Sequence, residues 1–304
     1  MQIVTVTGLM LELPVTAEQL MQGARQAFLL PENVHHPHPK PRASGIASCA
    51  RQQAYSMAAT DVSNPSGNES DLTTEQGRIV DAGVTQRLFE PHGITVVNTQ
   101  ISLPPEFPMT GHPDGELEGN TDGLKWGYEH KNLGRWAYET VFKKGFEQGE
   151  PGYLCQTISY GMALEWDAAY VVCLAQDASS TNSDARTNLK AKNPQERWAN
   201  KPNWNPKLLV YGVDLRPYYP SLGKRLLQRA EWLTSWWTDN RDPSQVAREA
   251  DPTNTERDEY TVQPDGEIIR SSGPDFPCGW CPWLDRCLVD GAGGKPAPEL
   301  PFAL

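Results

Sequence analysis

The chain has 304 residues, 38 % of them apolar and 21 % charged, an ordinary composition for one elaborated globular domain or two small ones. No apolar run reaches the roughly 18 residues of a membrane span, and the opening MQIVTVTGLMLELPVT lacks the pattern of a signal peptide, so a cytoplasmic protein with no membrane partner is expected. A formal net charge of −11 argues against a protein coated in nucleic acid but leaves room for an enzyme that grips DNA in one local groove.

Residues 2–7 alternate as a short strand does, and Thr16 with Gln19 forms a capping-box pattern opening a helix over 16–29. PENVHHPHPKPRASG, 31–45, is rich in His and Pro. Its His35, His36 and His38 are metal-competent, but Pro37 and Pro39 stiffen the segment and no carboxylate or Cys lies beside them, so an exposed crossing loop is expected. Ser44 is the expected cap of a helix over 44–57 that carries Cys49 and Tyr55. A polar loop over 59–73 leads to a helix over 74–90, in which Ile79, Val80, Val84 and Leu88 recur at helical spacing. Strands are expected within 94–131, with Gly119-Asn120 and Asp122-Gly123 supplying turn chemistry between the last two. Helices over 136–144 and 152–166 precede two apolar strands over 167–175 and 207–215. Between those strands, 181–210 is basic and carries Trp198 and Trp204; it is either a solvated loop or a surface for phosphates and bases. Ser221 is the expected cap of an amphipathic helix ending near Trp237, and the acidic, Pro/Gly-rich remainder reads as irregular. The whole is a mixed α/β core, a central sheet flanked by helices.

Asp114 in GHPDGEL stands at a strand end, and Glu129 and Lys131 in YEHKN are two apart, so in an extended segment they share a face while His130 points away. A hairpin of 109–118 with 124–131 would bring Asp114 toward Glu129, making a hard oxygen site for Mg²⁺ or Mn²⁺ to which the His130 carbonyl can add. Such an ion activates water, and Lys131 can orient that water or counter charge on a phosphoryl group. A Glu-x-Lys tripeptide alone equally describes a surface ion pair. Gln156 and Tyr160, four apart on the following helix, share a face; they either support this centre or form a polar seam beside Leu154, Ile158 and Leu164.

In this order, Asp114, then Glu129-His130-Lys131, then Gln156 and Tyr160 resemble the PD-(D/E)XK nuclease superfamily, and more narrowly its RecB-like branch with a Gln-x-x-x-Tyr helix. The resemblance spans roughly residues 44–215. It implies a restriction-endonuclease-like core, metal binding by Asp114 and Glu129, catalysis by Lys131, and support from Gln156 and Tyr160. Relatives place a metal-binding His four residues after a Gly in the preceding helix; here Gly77 is followed by Asp81, which is carried as a candidate metal residue, with Glu75 and Glu90 as alternatives.

Of six cysteines, Cys155 and Cys173 sit in apolar surroundings and read as buried thiols. Cys49 and the trio Cys278, Cys281 and Cys287 of CGWCPWLDRC can make a four-sulfur site for zinc or an iron–sulfur cluster. The resemblance, here to the Cas4 group and the AddB nuclease domain, implies a [4Fe–4S] cluster that staples the amino-terminal helix to the carboxyl-terminal tail. The expected division is 1–43 as an amino-terminal strand, helix and connection, 44–237 as nuclease core, and 238–304 as an acidic linker and cysteine-rich region. The function implied is a deoxyribonuclease, an exonuclease acting on DNA ends, in a bacterial, archaeal or phage-infected cell, with recombination or CRISPR-adaptation proteins as partners. The alternatives are a non-catalytic DNA-binding partner that kept the fold, and a zinc-stabilised interaction module.

Overall fold

Strands 167–175 and 207–215 are dominated by Ala, Val, Leu and Tyr, residues that fit a pleated surface covered on both sides. In the computed structural model they lie side by side in a five-stranded mixed sheet. The structure describes residues 2–4, 10–12, 36–61, 89–119, 122–175, 208–249, 258–262, 268–272, 281–291 and 293–300. The expected helix over 16–29, nearly all of that over 74–90 with Asp81, the basic segment up to residue 207, and Cys278 lie outside these residues.

A short antiparallel pair, β1 (Gln2–Val4) and β2 (Met10–Glu12), begins the chain. The main sheet has the spatial order β3 (Thr95–Val97), β4 (Gly115–Glu118), β5 (Trp126–Leu133), β6 (Ala168–Ala175) and β7 (Leu208–Asp214). All neighbours are antiparallel except β5 and β6, which run parallel and are joined by a helical crossover. That crossover holds α2 (Arg135–Lys144), the short α3 (Phe146–Gly149) and α4 (Pro151–Leu164). Gly145, at φ 81°, makes the left-handed break between α2 and α3. Pro151 opens α4, where its missing N–H is not needed.

Alternation along β5 divides the core. Glu129, Lys131 and Leu133 face α4 and the larger apolar cluster, together with Ala169, Val171 and Cys173 of β6. Tyr128 and Val172 face the other way and pack with Phe89 and Leu117 in a smaller cluster. Gly127 opens the inner face for Trp166: a β-carbon there would fall 2.0 Å from the indole. The indole N–H then donates to Glu116 Oε1 at 2.7 Å, tying the end of the crossover back to β4.

Several expectations shift. The first of the strands expected within 94–131, GITVVNTQISL, stops at Val97 because Asn98 and Gln100 turn left-handed, at φ 51° and 55°. Ser44 does not cap a helix: it lies in a 3-10 turn, Ala43–Gly45, and α1 (Ala50–Met57) begins after Cys49. The N–H of Ala50 instead donates at 2.7 Å to the Glu249 carboxylate, a cap contributed from far along the chain. Ser221 donates to the Tyr218 carbonyl inside a π-turn, and α5 (Lys224–Asp239) starts two residues later than its expected cap requires. The region read as irregular contains a hairpin, β8 (Asp258–Val262) with β9 (Ile268–Ser272), and the helix α6 (Leu284–Asp290). No described helix is long and apolar enough to cross a membrane.

Two buried guanidiniums join the ends of the chain. Arg51 on α1 donates to the carbonyls of Val246, Ser244, Gly291 and Gly293. Arg229 on α5 reaches the carbonyls of Ile46, Ser48 and Pro298 and pairs with Glu249. Tyr55 stacks on Trp283 and donates to Asp290 at 2.8 Å, while Trp283 Nε1 donates to the Thr60 carbonyl at 2.9 Å. Because Arg51 satisfies four carbonyls, Arg51→Met is expected to lower stability by about 3 kcal/mol or more. Urea unfolding should show that loss, and limited proteolysis should show earlier cutting within 281–300.

Candidate active site

The expected hairpin forms, with Gly115 opposite Tyr128 and Leu117 opposite Trp126. Asp114 stands just before β4 and reaches across to β5: its Oδ2 accepts the His130 N–H at 2.7 Å. Its Oδ1 accepts from Gln100 Nε2 at 2.9 Å. In an extended strand the N–H and C=O of one residue leave on the same side, so the His130 carbonyl is directed to the Asp114 edge of β5.

Glu129 and Lys131 do share a face. Lys131 Nζ lies 2.6 Å from Glu129 Oε2, with Glu129 only 1 % exposed and Lys131 9 %. This is an ion pair inside the core, so the surface-pair reading of Glu-x-Lys does not apply. Glu129 Oε1 is also buried and has no hydrogen-bond partner among the described residues. Burial, reinforced by the charge of Asp114, pushes the Glu129 carboxyl up to about 7, outweighing the attraction of Lys131. For Lys131 burial acts the other way and is outweighed by Glu129 and Asp114, so the ammonium is held above its ordinary range. It lies 5.2 Å from the centroid of the Tyr153 ring, whose face attracts the cation.

Helix α4 supplies the roof. Gln156 Nε2 donates to the Tyr160 hydroxyl at 3.1 Å, as their i, i+4 spacing allows, and both are buried. Burial pushes the Tyr160 phenol up to about 12, so it remains a donor at neutral pH. Gly111 allows the segment before Asp114 to pass over this ring; a β-carbon there would lie 2.7 Å from it. Tyr153, Gln100 and Glu116 were not singled out in the sequence. Glu116 could have been, since it follows Asp114 by two in DGE; it accepts from Asn98 and Trp166 at 2.6 and 2.7 Å and carries structure rather than chemistry.

A cavity of about 690 Å³ opens beside Tyr160. His36, His38, Arg42 and Ser44 form one wall, and Gln156 and Tyr160 another. The described part of the His/Pro segment is exposed at His36, Pro37 and Pro39, as expected of a crossing loop, and is held at its end: Ala43 N–H donates to the Thr110 carbonyl at 2.8 Å and Thr110 N–H to the Pro41 carbonyl at 2.9 Å, while His35 lies outside the described residues.

Cys155 and Cys173 are the buried thiols expected, pushed up to about 12 by burial. Burial raises the Cys281 thiol, opposed by the Trp283 N–H and reinforced by Cys49 and Cys287. Among the described residues, no three His, Cys, Asp or Glu side chains are gathered closely enough to hold an ion as they stand.

No family model matches the sequence, and no curated protein matches it. Solved structures are similar at low identity. A phage-related exonuclease from Haemophilus somnus 129PT is 14 % identical, with a TM-score of 0.43, over 67 % of this chain and 97 % of that one. LHK-Exo in complex with dAMP is 14 % identical, with a TM-score of 0.40, over 67 % of this chain and 88 % of that one; LHK-Exo is an alkaline exonuclease from Laribacter hongkongensis. Neither overlay assigns a residue or a reaction to this chain.

The buried pair makes a stability prediction independent of activity. Glu129→Gln should strand the Lys131 ammonium and lower stability by about 3–5 kcal/mol. The double variant Glu129→Gln/Lys131→Met should recover most of that loss. Urea unfolding of the two single variants and the double variant, in the absence of divalent ions, checks the coupling.

Proposed function

We propose that this chain is a divalent-metal-dependent deoxyribonuclease that hydrolyses DNA phosphodiester bonds, acting from DNA ends. The observation that carries the reading is the Glu129 carboxylate, one oxygen held by Lys131 and the other buried without a partner among the described residues, beside Asp114. A bound cation would satisfy such an orphaned oxygen. Asp114, Glu129 and the His130 carbonyl are hard oxygen donors suited to Mg²⁺ or Mn²⁺, and Asp81 would add a further carboxylate. When bound, the ion supplies polarisation of the phosphodiester and a more acidic water.

The remaining steps belong to side chains. Lys131, held above its ordinary range by Glu129 and Asp114, would counter charge developing on the phosphoryl oxygens or orient the attacking water. Gln156 and Tyr160 remain neutral donors beside it and orient what enters from the cavity. The motif order resembling RecB-like nucleases makes DNA the expected phosphodiester. Asp114→Asn is expected to reduce cleavage of linear DNA about a hundredfold or more, and Asp81→Ala to raise the divalent-ion concentration required. Cleavage assays on linear and circular DNA with Mg²⁺ or Mn²⁺ check this: undiminished cutting by Asp114→Asn would reject the centre, and equal cutting of circles would reject the dependence on ends.

Cys49, Cys278, Cys281 and Cys287 are read as ligands of a structural [4Fe–4S] cluster. Arg51 Nη1 within 4.0 Å of Cys287 Sγ, a cation suited to a thiolate, supports this. Cysteine ligation stabilises only the state that can assemble the site. Protein purified without oxygen should be brown and contain iron and acid-labile sulfide, and Cys287→Ala should lose both and yield less soluble protein. Colourless anaerobic protein with one zinc would overturn the cluster.

A further inference from the structure

We infer that the cavity beside Tyr160 receives the terminal phosphate of a DNA strand, gripped by Arg42 together with His36 and His38; the inference rests on the nuclease reading above. The chemistry of the walls points to an anion. They offer a guanidinium, imidazoles and the hydroxyl of Ser44, and no Asp or Glu among the described residues lines them. In a chain with a formal net charge of −11, a concavity free of carboxylates stands apart from the general surface. No described carboxylate pairs with Arg42, so its five donors are available to a ligand.

The wall is also rigid. Lys40 Nζ donates to the carbonyls of Pro105 and Phe107, and the 41–43 backbone is bonded to Thr110. His38 Nδ1 lies 2.6 Å from the Lys40 carbonyl; a carbonyl only accepts, so this nitrogen donates there and the ring is held against the cavity, with Nε2 able to donate to an anion when the ring is an imidazolium. A fixed set of donors binds an anion without the entropy loss of gathering it. Position ties the cavity to the chemistry: Gln100 lines it and donates to Asp114, and Tyr160 lines it and stands beside Glu129 and Lys131. About 690 Å³ is space for a nucleotide-sized group. A phosphate monoester carries about −1.5 to −2 charge at pH 7, more than an internal diester, so a site built on one guanidinium and two imidazoles favours the strand end.

The test uses the full chain and short fluorescent single-stranded oligonucleotides that differ only in their ends: 5′-phosphate, 3′-phosphate, or hydroxyl at both. Binding is read by anisotropy without divalent ions, and cleavage rate is read with Mn²⁺. One phosphorylated end is expected to bind about tenfold tighter than the hydroxyl-ended strand. In Arg42→Gln that ratio should fall close to one, and in His38→Gln it should fall part of the way. The ratio is its own control, because a poorly folded variant weakens all three ligands alike. Equal binding of all ends by the parent protein, or an unchanged ratio in Arg42→Gln, overturns the inference. Cleavage without end preference would remove the phosphate site and leave the nuclease reading standing. An Arg42-dependent preference in binding without cleavage of any oligonucleotide would do the reverse.

Discussion

An ammonium and a carboxylate packed 2.6 Å apart on the inner face of a central strand constrain everything around them. Both groups are almost wholly buried, so the fold must supply what water would, and it does so unequally. Lys131 receives Glu129, the charge of Asp114 and the face of Tyr153. Glu129 receives Lys131 on one oxygen and nothing described on the other. This asymmetry holds the lysine charged and makes the acid reluctant to ionise unless a cation joins it. Structural demand and proposed chemistry therefore meet in one unsatisfied oxygen.

The surroundings of the pair follow from the same demand. Beside Lys131 on the parallel neighbour lies Cys173, and beside Glu129 lies Val171, so that edge offers only apolar cover. The polar partners have to come from α4 above and from the Asp114 turn at the antiparallel edge. Gly127 and Gly111 are what permit that approach, one by admitting Trp166 and the other by admitting Tyr160. The 36–45 segment is then bonded to the strand end that leads to Asp114, which brings a wall of basic side chains against a centre of acidic ones.

A second set of buried charges connects the ends of the chain. Arg51 and Arg229 bind carbonyls from segments with little regular structure, and Glu249 joins Arg229 to the first N–H of α1. Such loops cannot satisfy their own carbonyls, and a guanidinium with five donors can satisfy several at once. The amino-terminal helix and the carboxyl-terminal tail thus meet through protein groups.

Much of this was legible in local pattern. The apolar runs of β6 and β7, the turn residues between β4 and β5, and the i, i+2 and i, i+4 spacings of Glu129–Lys131 and Gln156–Tyr160 follow from the periods of strand and helix, which any short window of sequence contains. The expected caps at Ser44 and Ser221 failed because a distant group, Glu249, or a π-turn took over the helix start. The hairpin over 258–272 was missed although Pro264-Asp265-Gly266 is a turn signal, because its strands carry many charges and little alternation. Whether Glu-x-Lys lay on the surface or in the core, and whether a His/Pro loop was a bare connection or a wall, was decided only by tertiary structure. Burial and the pairing of residues scores of positions apart set the energy of a charge, and neither is a property of neighbouring residues.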